Sequence, residues 1–356
     1  IQTTSCVPQD VKVTLLKGGE SGEREISLVS GGACAKALRE VGFPVTEIDT
    51  KDPDKIQQIL DSKPDVVFIA LHGKDGEDGC VQGLCELMRV PYTGPGVLAS
   101  ALAMDKTRAK AFYRAHGLPT PPAVTLNRGD EYDVEEIIES LGGKCVVKPA
   151  REGSSLGVSI VNDPAALDEA IQAAFECDSI VLVERFIKGT EVTVAVLGNT
   201  EFEALPVIEI VPSETGEFYD FEEKYSAGGA THIIPARISD EETKACMENA
   251  IGAHRALGCV GVSRTDLMVG EDGTCWVIET NTIPGMTPTS LLPDTASRVG
   301  ISFNDLCKMM VELALDDSAA DERGALSGGS AAMGRARFSI GGTAMSRTCP
   351  RAVVLR

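Results

Sequence analysis

Two oxygen-bearing side chains, Glu279 and Asn281, stand two residues apart in the segment CWVIETN, which has the apolar content of a buried strand. Side chains alternate between the two faces of a β-strand. Val277, Glu279 and Asn281 are therefore expected on one face, with Trp276 and Ile278 on the other. On this prediction, a carboxylate and an amide oxygen converge on one point above a sheet.

These oxygens would suit a magnesium ion, which prefers oxygen ligands and is usually held by one or two carboxylates together with substrate phosphates. Asp266 begins the neighbouring candidate strand TDLMVG and could complete a ligand set with Glu279 and Asn281. The alternative is a solvated strand end whose acidic residues only increase solubility. A motif this short often matches by accident, so its spacing leaves both interpretations open.

A glycine- and serine-rich segment, REGSSLGVS (151–159), lies between two predicted strands and could bind phosphate. Small residues let backbone N–H groups approach an anion, and Lys148 directly upstream supplies a positive charge. The segment is not a Walker A loop, since the pattern G-x-x-x-x-G-K-[ST] is missing. Lys106, in MDKTRAK, is a second candidate, although a helical lysine is more often solvated. A flexible hairpin turn is the alternative for the loop.

Two segments near the N-terminus end at the position where open α/β sheets bind their ligands, beyond the carboxyl ends of strands. After the strand VKVTLL (11–16), the turn GGESGEREIS places Glu23 at the start of a predicted helix. The second strand, DVVFIALHG (65–73), ends with His72 in the matching position. The helix dipole usually explains an acidic residue in a first helical turn, so Glu23 alone is a weak candidate.

The charge of the chain argues against one class of partner. Its 356 residues carry a net charge of −20, whereas nucleic-acid binding normally needs a basic face, so no nucleic-acid partner is expected.

No apolar run reaches the roughly 18 residues of a membrane span, and no signal or transit peptide is recognisable, so no membrane partner is expected. The 11 cysteines include no C-x-x-C pair, which favours reduced thiols over a disulfide framework or a zinc site.

The order of the predicted elements indicates an α/β fold in several parts. The first ninety-odd residues read as β/α units, followed by a helical stretch at 98–117 and the proline cluster LPTPP. The remaining strands are predicted at 145–149, 156–161, 180–184, 191–198, 204–211, 265–270 and 275–281. Two further helices are predicted, one from Pro164 to about Cys177 and one at 240–257, which Ser239 and Glu242 begin as a capping box.

Taken together, these segments resemble one family. Six segments occur in the same order as in D-alanine–D-alanine ligases, which are members of the ATP-grasp superfamily. These segments are GGESGEREISLVSG, LHGKDGEDG, MDKTRAK, VVKPAREGSSLGVS, EFYDFEEKY and SRTDLMVGEDGTCWVIETNTIPGMTPTSLLP. The resemblance implies a Rossmann-like parallel-sheet domain at 1–94 and then the two-lobed ATP-grasp fold, with a small domain at 95–183 and a C-terminal domain at 184–317. The Ser-, Gly- and Arg-rich tail at 318–356 has no counterpart in ordinary family members and is predicted to be disordered.

The resemblance implies that the chain joins two D-alanine molecules into D-alanyl-D-alanine for peptidoglycan precursor synthesis. In that reaction ATP phosphorylates the carboxylate of the first D-alanine. The amine of the second attacks the acyl phosphate, and a tetrahedral intermediate expels phosphate. ATP and two Mg²⁺ (or Mn²⁺) ions are the implied cofactors. A homodimer is implied, and a location in the cytoplasm, or in the plastid stroma for a eukaryotic source.

The family's nucleotide and metal residues have counterparts in this sequence. By resemblance, Lys106 and Lys148 hold the ATP phosphates, and Lys224 contacts the terminal ones. Glu184 binds the adenine amino group, and Glu191 binds the ribose. The two metal ions are assigned to Asp266, Glu279 and Asn281. Most of the catalysis in phosphoryl transfer is positioning and charge neutralisation, so a cage of lysines and metal ligands is the expected design.

The amino-acid substrates are assigned a second set of residues by the same resemblance. Glu23 anchors the ammonium of the first D-alanine, with His72 nearby. The oxyanion of the tetrahedral intermediate is stabilised by Arg264 and the backbone N–H of Gly285. Ser290 and the backbone N–H of Leu291 bind the carboxylate of the second D-alanine.

A closing loop completes the implied site. Ser154 and Tyr225 link to Glu23 through hydrogen bonds and close the loop around Lys224 over the site, which excludes water from the acyl phosphate. Tyr225 also favours the dipeptide product, since relatives that make D-alanyl-D-lactate lack this tyrosine.

Two other functions stay open at this point. One is another ATP-grasp carboxylate–amine ligase with different acceptors, against which the segments GGESGEREIS and GMTPTSLL argue. The other is a non-catalytic homologue, which would be expected to lose its metal ligands or Arg264, and this chain keeps them. Phosphate release that depends on D-alanine, ATP and magnesium distinguishes these functions.

Overall fold

A small parallel sheet forms the first part of the fold in this computed structural model, which describes residues 3, 5–153, 157–212 and 230–316. Its strands lie in the order β2-β1-β3 and are linked by two helices: β1 (Val13–Lys17), α1 (Arg24–Val41), β2 (Val45–Asp49), α2 (Lys55–Ser62) and β3 (Val66–Ile69). Helix α1 packs closely on β1 because Gly31 lacks a side chain; a Cβ there would lie 2.6 Å from the Cβ of Lys17. The predicted β/α units are confirmed, although the second buried strand ends earlier than predicted, so His72 lies in the loop after it.

The helical stretch predicted at 98–117 is two helices, not one. After α3 (Cys80–Met88), the chain forms α4 (Val97–Met104) and α5 (Lys106–Ala115), separated by Asp105 in an extended conformation. The Asp105 carboxylate accepts hydrogen bonds from the backbone N–H groups of Thr107 and Arg108, which satisfies donors at the start of α5. The break therefore makes Lys106 the first residue of a helix.

A four-stranded antiparallel sheet forms the second part. Its strands lie in the order β4-β7-β5-β6, and two helices accompany them: β4 (Ala123–Asn127), α6 (Val134–Leu141), β5 (Cys145–Pro149), β6 (Ser159–Val161), α7 (Pro164–Cys177) and β7 (Ile180–Arg185). The predicted bounds of β5 and α7 are confirmed to the residue. This sheet has its own core, in which Leu167 and Ile171 of α7 pack against Val147 and Val183.

The third part is a six-stranded antiparallel sheet with the order β11-β10-β8-β12-β13, in which β9 pairs with β8. Its elements are β8 (Gly189–Leu197), β9 (Glu203–Ala204), β10 (Ile208–Pro212), β11 (Ala230–Ile233), α8 (Asp240–Leu257), β12 (Val262–Gly270) and β13 (Cys275–Asn281). Helix α8 begins with the predicted capping box: Ser239 Oγ accepts from Glu242 N, and Glu242 Oε2 accepts from Ser239 N. Pro206, which has no backbone N–H to donate, lies between β9 and β10 and divides the strand predicted at 204–211.

A β-bulge in β13 changes which side chains share a face. Asp266 of β12 pairs with Glu279, whereas the next residue, Leu267, pairs with Val277, so Ile278 is an extra residue without a partner on β12. Val277 is fully buried in the core under α8, while Ile278 and Glu279 both line a cleft on the other side. The prediction that Val277 shares a face with Glu279 and Asn281 is wrong, because the bulge reverses the alternation between them.

The last two helices connect the first and third parts. Helix α9 (Leu291–Arg298) and helix α10 (303–316) contribute Leu292 and Leu306 to a core that also contains Leu15 of β1 and Leu197 of β8. Within the described ranges, the helices are too short or too polar to cross a membrane. The tail predicted to be disordered, 318–356, lies outside the described residues.

Candidate active site

Two adjoining cavities are lined by the charged side chains that form the candidate site. The larger, which we call the sheet cleft, lies between the second and third sheets, measures about 910 Å³ with its mouth, and is lined by residues of β5, β7, β8, β12 and β13. The smaller, which we call the polar cavity, measures about 680 Å³ and lies between the first part of the fold and the segment after β13. Gly153 lines both, so the two cavities meet at the start of the glycine-rich loop.

Glu184, on β7, is a buried carboxylate held between two lysines. Its Oε1 forms an ion pair with Lys148 Nζ, and its Oε2 accepts a hydrogen bond from Lys110 Nζ at 2.8 Å. Burial alone would raise the pKa of Glu184, but the charges of Lys148 and Lys110 outweigh it and hold the pKa below its usual value. Glu184 is therefore an ionised acceptor at the inner end of the sheet cleft.

Lys106 is directed into the cleft by its position at the start of α5. Its Nζ donates to the carbonyl of Glu152 at 2.7 Å and lies 3.3 Å from Glu279 Oε2. Its backbone N–H donates to the carbonyl of Ala150. The side chain is buried, so the interpretation of Lys106 as a solvated surface lysine is excluded. One ammonium thus connects the glycine-rich loop to β13.

Asp266 is the centre of a polar cluster on β12. Arg264 binds it through two hydrogen bonds, Nε to Oδ1 at 2.9 Å and an Nη to Oδ2 at 2.8 Å. Thr193 Oγ and Asn281 Nδ2 donate to the same carboxylate at 2.5 and 3.0 Å. Glu279 is paired with Asp266 across the strands. Two carboxylates at the wall of the sheet cleft therefore lie beside the amide of Asn281, which lines the polar cavity.

Glu23 occupies the polar cavity directly before α1 and is nearly fully buried. Its carboxylate lies against two glycines, and a Cβ would approach its Oε2 to 2.7 Å at Gly73 and to 3.0 Å at Gly153. Gly73 also has a φ of +72°, which favours glycine. The carboxylate is thus placed between the turn after β3 and the glycine-rich loop, as close to both backbones as glycine allows.

His72 lies in the wall of the same cavity and is buried. Its Nδ1 lies 3.1 Å from the carbonyl of Ile283, and its Nε2 lies 3.3 Å from Ser30 Oγ. Burial lowers the pKa of His72 to about 4, and the nearby charge of Arg264 acts in the same direction. The imidazole is therefore neutral at physiological pH and can exchange hydrogen bonds without adding charge to the cavity.

Glu77 is a second carboxylate in the polar cavity. Its oxygens accept from the backbone N–H groups of Gly73 at 2.8 Å and Ile283 at 3.3 Å. Burial raises the pKa of Glu77 to about 8, and the negative charge of Glu23 contributes. Glu77 therefore carries a proton near neutral pH while the cavity holds no cation, and a substrate ammonium bound beside Glu23 would favour its ionised form.

The far wall of the polar cavity is the start of α9. Ser290 precedes this helix, and its Oγ accepts from the backbone N–H of Thr287 at 3.0 Å. Gly285 faces Ser290 closely, since a Cβ there would lie 3.0 Å from Ser290 Oγ. Leu291 begins the helix, so its backbone N–H belongs to a terminus that attracts anions. His232, paired with Asp294 at 3.3 Å, also lines this wall.

The structure brings together every described residue that the sequence singled out. The sheet cleft contains Lys106, Lys148, Glu184, Glu191, Asp266 and Glu279. The polar cavity contains Glu23, His72, Arg264, Asn281, Gly285, Ser290 and Leu291. The remaining predictions, Ser154, Lys224 and Tyr225, fall outside the described residues.

Three residues in or beside the two cavities, Lys110, Glu77 and His232, were not predicted from the sequence. Lys110 follows Lys106 by one helical turn, and that spacing on one helix face was the available signal. Glu77 belongs to LHGKDGEDG, five residues after His72, where several acidic residues gave no way to choose among them. His232 is a lone histidine with no metal or catalytic spacing around it, and no sequence signal distinguishes it.

Buried lysines, paired acidic residues and a glycine-rich loop around a cleft between two antiparallel sheets define the chain as an ATP-grasp enzyme. A family model described as D-ala D-ala ligase C-terminus matches residues 112–312, and one described as D-ala D-ala ligase N-terminus matches residues 44–95. The chain belongs to the D-alanine–D-alanine ligase family.

Individual relatives agree with the family models. The D-alanine–D-alanine ligase of Anaeromyxobacter sp. (strain Fw109-5) is 48% identical over 307 residues, which are 85% of this chain and 96% of the relative. The crystal structure of the Bacillus anthracis D-alanine–D-alanine ligase complexed with ATP has a TM-score of 0.77 at 31% identity and covers 87% of this chain and 99% of that chain. The crystal structure of the VanG D-Ala:D-Ser ligase of Enterococcus faecalis has a TM-score of 0.73 at 35% identity. The match covers 85% of this chain and 99% of that chain.

Proposed function

We propose that this enzyme uses ATP to join two D-alanine molecules into D-alanyl-D-alanine, a precursor for peptidoglycan. One observation supports this most directly. The sheet cleft, with its lysines and paired acidic residues, opens at Gly153 into a cavity that holds Glu23 and Arg264. A phosphoryl donor in the cleft and an amino acid in the cavity would then meet at a single point.

ATP is expected to bind with its base deep in the sheet cleft. Glu184 accepts from the amino group of adenine, and Glu191, on β8 at the same cleft, binds the ribose. Lys148 and Lys106 hold the phosphates, with Lys224 at the terminal ones. These cations neutralise the charge that spreads over the transferred phosphoryl group, which is the main contribution a protein makes to this reaction.

The donor set fits a divalent cation, because Asp266, Glu279 and Asn281 are oxygen-bearing side chains on two adjacent strands. We propose that these three residues hold two Mg²⁺ or Mn²⁺ ions. Bound metal supplies charge stabilisation to the phosphate oxygens. In the structure, the oxygens of Asp266 are paired with Arg264 and Asn281, and Glu279 is paired with Lys106, so neighbouring donors keep this anionic cluster satisfied.

The two amino acids are assigned to opposite walls of the polar cavity. Glu23 binds the ammonium of the first D-alanine beside His72. The carboxylate of this D-alanine attacks the terminal phosphorus of ATP, which gives D-alanyl phosphate and ADP. Ser290 and the N–H of Leu291 bind the carboxylate of the second D-alanine. Its amine attacks the acyl carbon, the oxyanion is held by Arg264 and the N–H of Gly285, and phosphate leaves.

Several further features belong to the same proposal. Ser154 and Tyr225 join Glu23 in a hydrogen-bond chain that closes the loop around Lys224. The chain is divided at 1–94, 95–183 and 184–317, acts as a homodimer and works in the cytoplasm.

Phosphate release tests the activity. The full chain is incubated with ATP and Mg²⁺, and with D-alanine, D-serine or D-lactate in separate reactions and as second substrates beside D-alanine. Release that requires D-alanine, ATP and Mg²⁺, with D-alanyl-D-alanine as the product, supports the proposal. Preferred formation of a mixed product with D-serine would assign the chain to the acceptor class of the VanG relative. No release with any of these substrates would leave a non-catalytic homologue.

A further inference from the structure

Lys110 is a fully buried lysine whose ammonium faces the proposed adenine acceptor from behind. Only 1% of the residue is exposed. Its Nζ donates to Glu184 Oε2 and to Thr120 Oγ, each at 2.8 Å. Lys148 takes the other oxygen, Oε1, from the side of the sheet cleft. The two lysines therefore divide the carboxylate of Glu184 between them, one oxygen each.

The two lysines differ in what else they can reach. Lys148 lines the sheet cleft, whereas Lys110 lies behind its wall and does not. Burying an ammonium is unfavourable, and burial lowers the pKa of Lys110 to about 8 even beside Glu184. A buried ion pair rarely adds stability over an apolar pair of similar size, so stability alone is a weak reason for a lysine here.

Nucleotide binding separates the roles of the two lysines. Lys148 is proposed to bind phosphate, and to do so its ammonium leaves Glu184. Oε1 of Glu184 is then released toward the cleft, while Oε2 stays bonded to Lys110. The carboxylate keeps both its negative charge and its orientation at the moment when it must recognise the base.

We propose that Lys110 is a positioning residue for base selection: it holds Glu184 as an ionised, acceptor-only carboxylate, so that the cleft takes adenine and rejects guanine nucleotides. An ionised carboxylate can only accept hydrogen bonds. The 6-amino group of adenine donates to it, whereas the 6-oxo group of guanine would place two acceptors against each other. This inference rests on the proposed binding of ATP in the sheet cleft.

Replacement of Lys110 by methionine should act on nucleotide binding more than on turnover. Without Lys110, Glu184 has only Lys148 as a positively charged partner, so Lys148 is expected to stay paired with Glu184 and to bind the phosphates less well. In molecules where Lys148 does move to the phosphates, Glu184 takes up a proton and can donate a hydrogen bond to a 6-oxo group. The KM for ATP is expected to rise about ten- to a hundredfold, which is the range for losing a hydrogen bond to a buried charge. The ratio of kcat/KM for ATP over GTP is expected to fall at least about tenfold, with kcat changed by less.

The experiment compares the full-length wild type with Lys110→Met, Lys110→Arg and the control Lys244→Met. Lys244 forms an exposed pair with Glu248 on α8, so its loss removes a Lys–Glu pair away from both cavities. Phosphate release with ATP and with GTP gives kcat and KM, and calorimetric titration gives the affinity for each nucleotide. Lys110→Arg keeps the positive charge, so it should recover part of the ATP preference that methionine loses. Lys244→Met should behave as the wild type.

An unchanged ATP-to-GTP ratio in Lys110→Met, with an active wild type, would overturn the role of Lys110 and leave the ligase activity standing. A wild type that releases no phosphate would overturn the proposed function itself. If Lys110→Met does not fold, Lys110→Gln, which keeps a donor but not the charge, is measured in the same way. If neither variant folds, Lys110 serves folding and the proposal is wrong.

Discussion

Arg264 and Asp266 lie two residues apart on β12, and the guanidinium of the first binds the carboxylate of the second through hydrogen bonds of 2.9 and 2.8 Å. The group proposed to hold the oxyanion is thus oriented by a group proposed to hold metal. Because the pair is planar and bound at two points, the guanidinium is fixed before substrate arrives. The two proposed roles, stabilisation of the oxyanion by Arg264 and metal binding by Asp266, would therefore be linked through one carboxylate.

Arg264→Met should lower kcat about 10²- to 10³-fold, the usual effect of removing one oxyanion donor, with a KM for ATP within about threefold of the wild type. Steady-state phosphate release measures both constants. Arg237→Met is the matched control, because Arg237 forms a similar two-point pair with the buried Glu209 on β10, a residue that lines neither cavity. A kcat for Arg264→Met close to that of Arg237→Met would contradict the oxyanion role.

Asn281→Ala should increase the Mg²⁺ concentration needed for half-maximal activity by about tenfold or more, since ligands and their partners commonly change metal affinity by that much. Activity is measured against free Mg²⁺ at saturating substrates. Asn249→Ala is the control; its amide donates to the carbonyl of Cys275 on the same strand, away from both cavities. Identical Mg²⁺ curves for the two variants would remove Asn281 from the metal site.

Asp105→Ala should lower the free energy of unfolding by about 1 kcal/mol, as the loss of a helix N-cap does, and should also raise the KM for ATP. The second effect is expected because Asp105 begins the helix whose first residue is Lys106. Asp163→Ala removes an equivalent cap from α7, outside both cavities, and should reproduce only the loss of stability. Urea unfolding and nucleotide kinetics on both variants separate the two effects.

His72 should make the protein less stable as the pH falls below about 6.5. The folded histidine takes up a proton only near pH 4, whereas the unfolded one does so near 6.5, so the unfolded state binds more protons between these values. At pH 5 this difference corresponds to about 2 kcal/mol. Urea unfolding at pH 7 and pH 5 measures it, and His72→Gln should reduce the difference by about that amount.

His254 provides a control for this measurement. It is fully buried behind β12, bonds to Ser263, and burial lowers its pKa to about 4 as well. His254→Gln should therefore reduce the pH dependence of stability to a similar extent. The kinetic constants for D-alanine should change in His72→Gln and stay the same in His254→Gln. Equal kinetics in both variants would count against a role for His72 at the first D-alanine.

Much of the site could be predicted from the sequence because its residues follow strongly patterned elements. Lys148 comes at the end of an apolar strand that the structure reproduces to the residue, and the capping box at Ser239 needs only local hydrogen bonds. These features depend on a few neighbouring residues. The position of a candidate residue could therefore be predicted wherever a local sequence pattern alone determines the end of a strand or the start of a helix.

The failures have physical causes that a local pattern does not contain. The bulge at Ile278 depends on pairing with β12, a strand whose register against β13 no single segment specifies. Asp105 divides a helix because its carboxylate prefers to cap the next turn, and an aspartate in a helical sequence could equally be exposed. Lys110 resembles any helical lysine until the fold surrounds it with Glu184 and Thr120.

Lys106 also has a kinetic consequence. Its ammonium bonds to the main chain at Glu152 and lies beside Glu279, so this single side chain ties together the two sides of the cleft. A phosphate that binds this ammonium would compete for it with the carbonyl of Glu152 and the carboxylate of Glu279. We therefore expect nucleotide binding to loosen the connection between the two sides of the cleft, and product release to restore it.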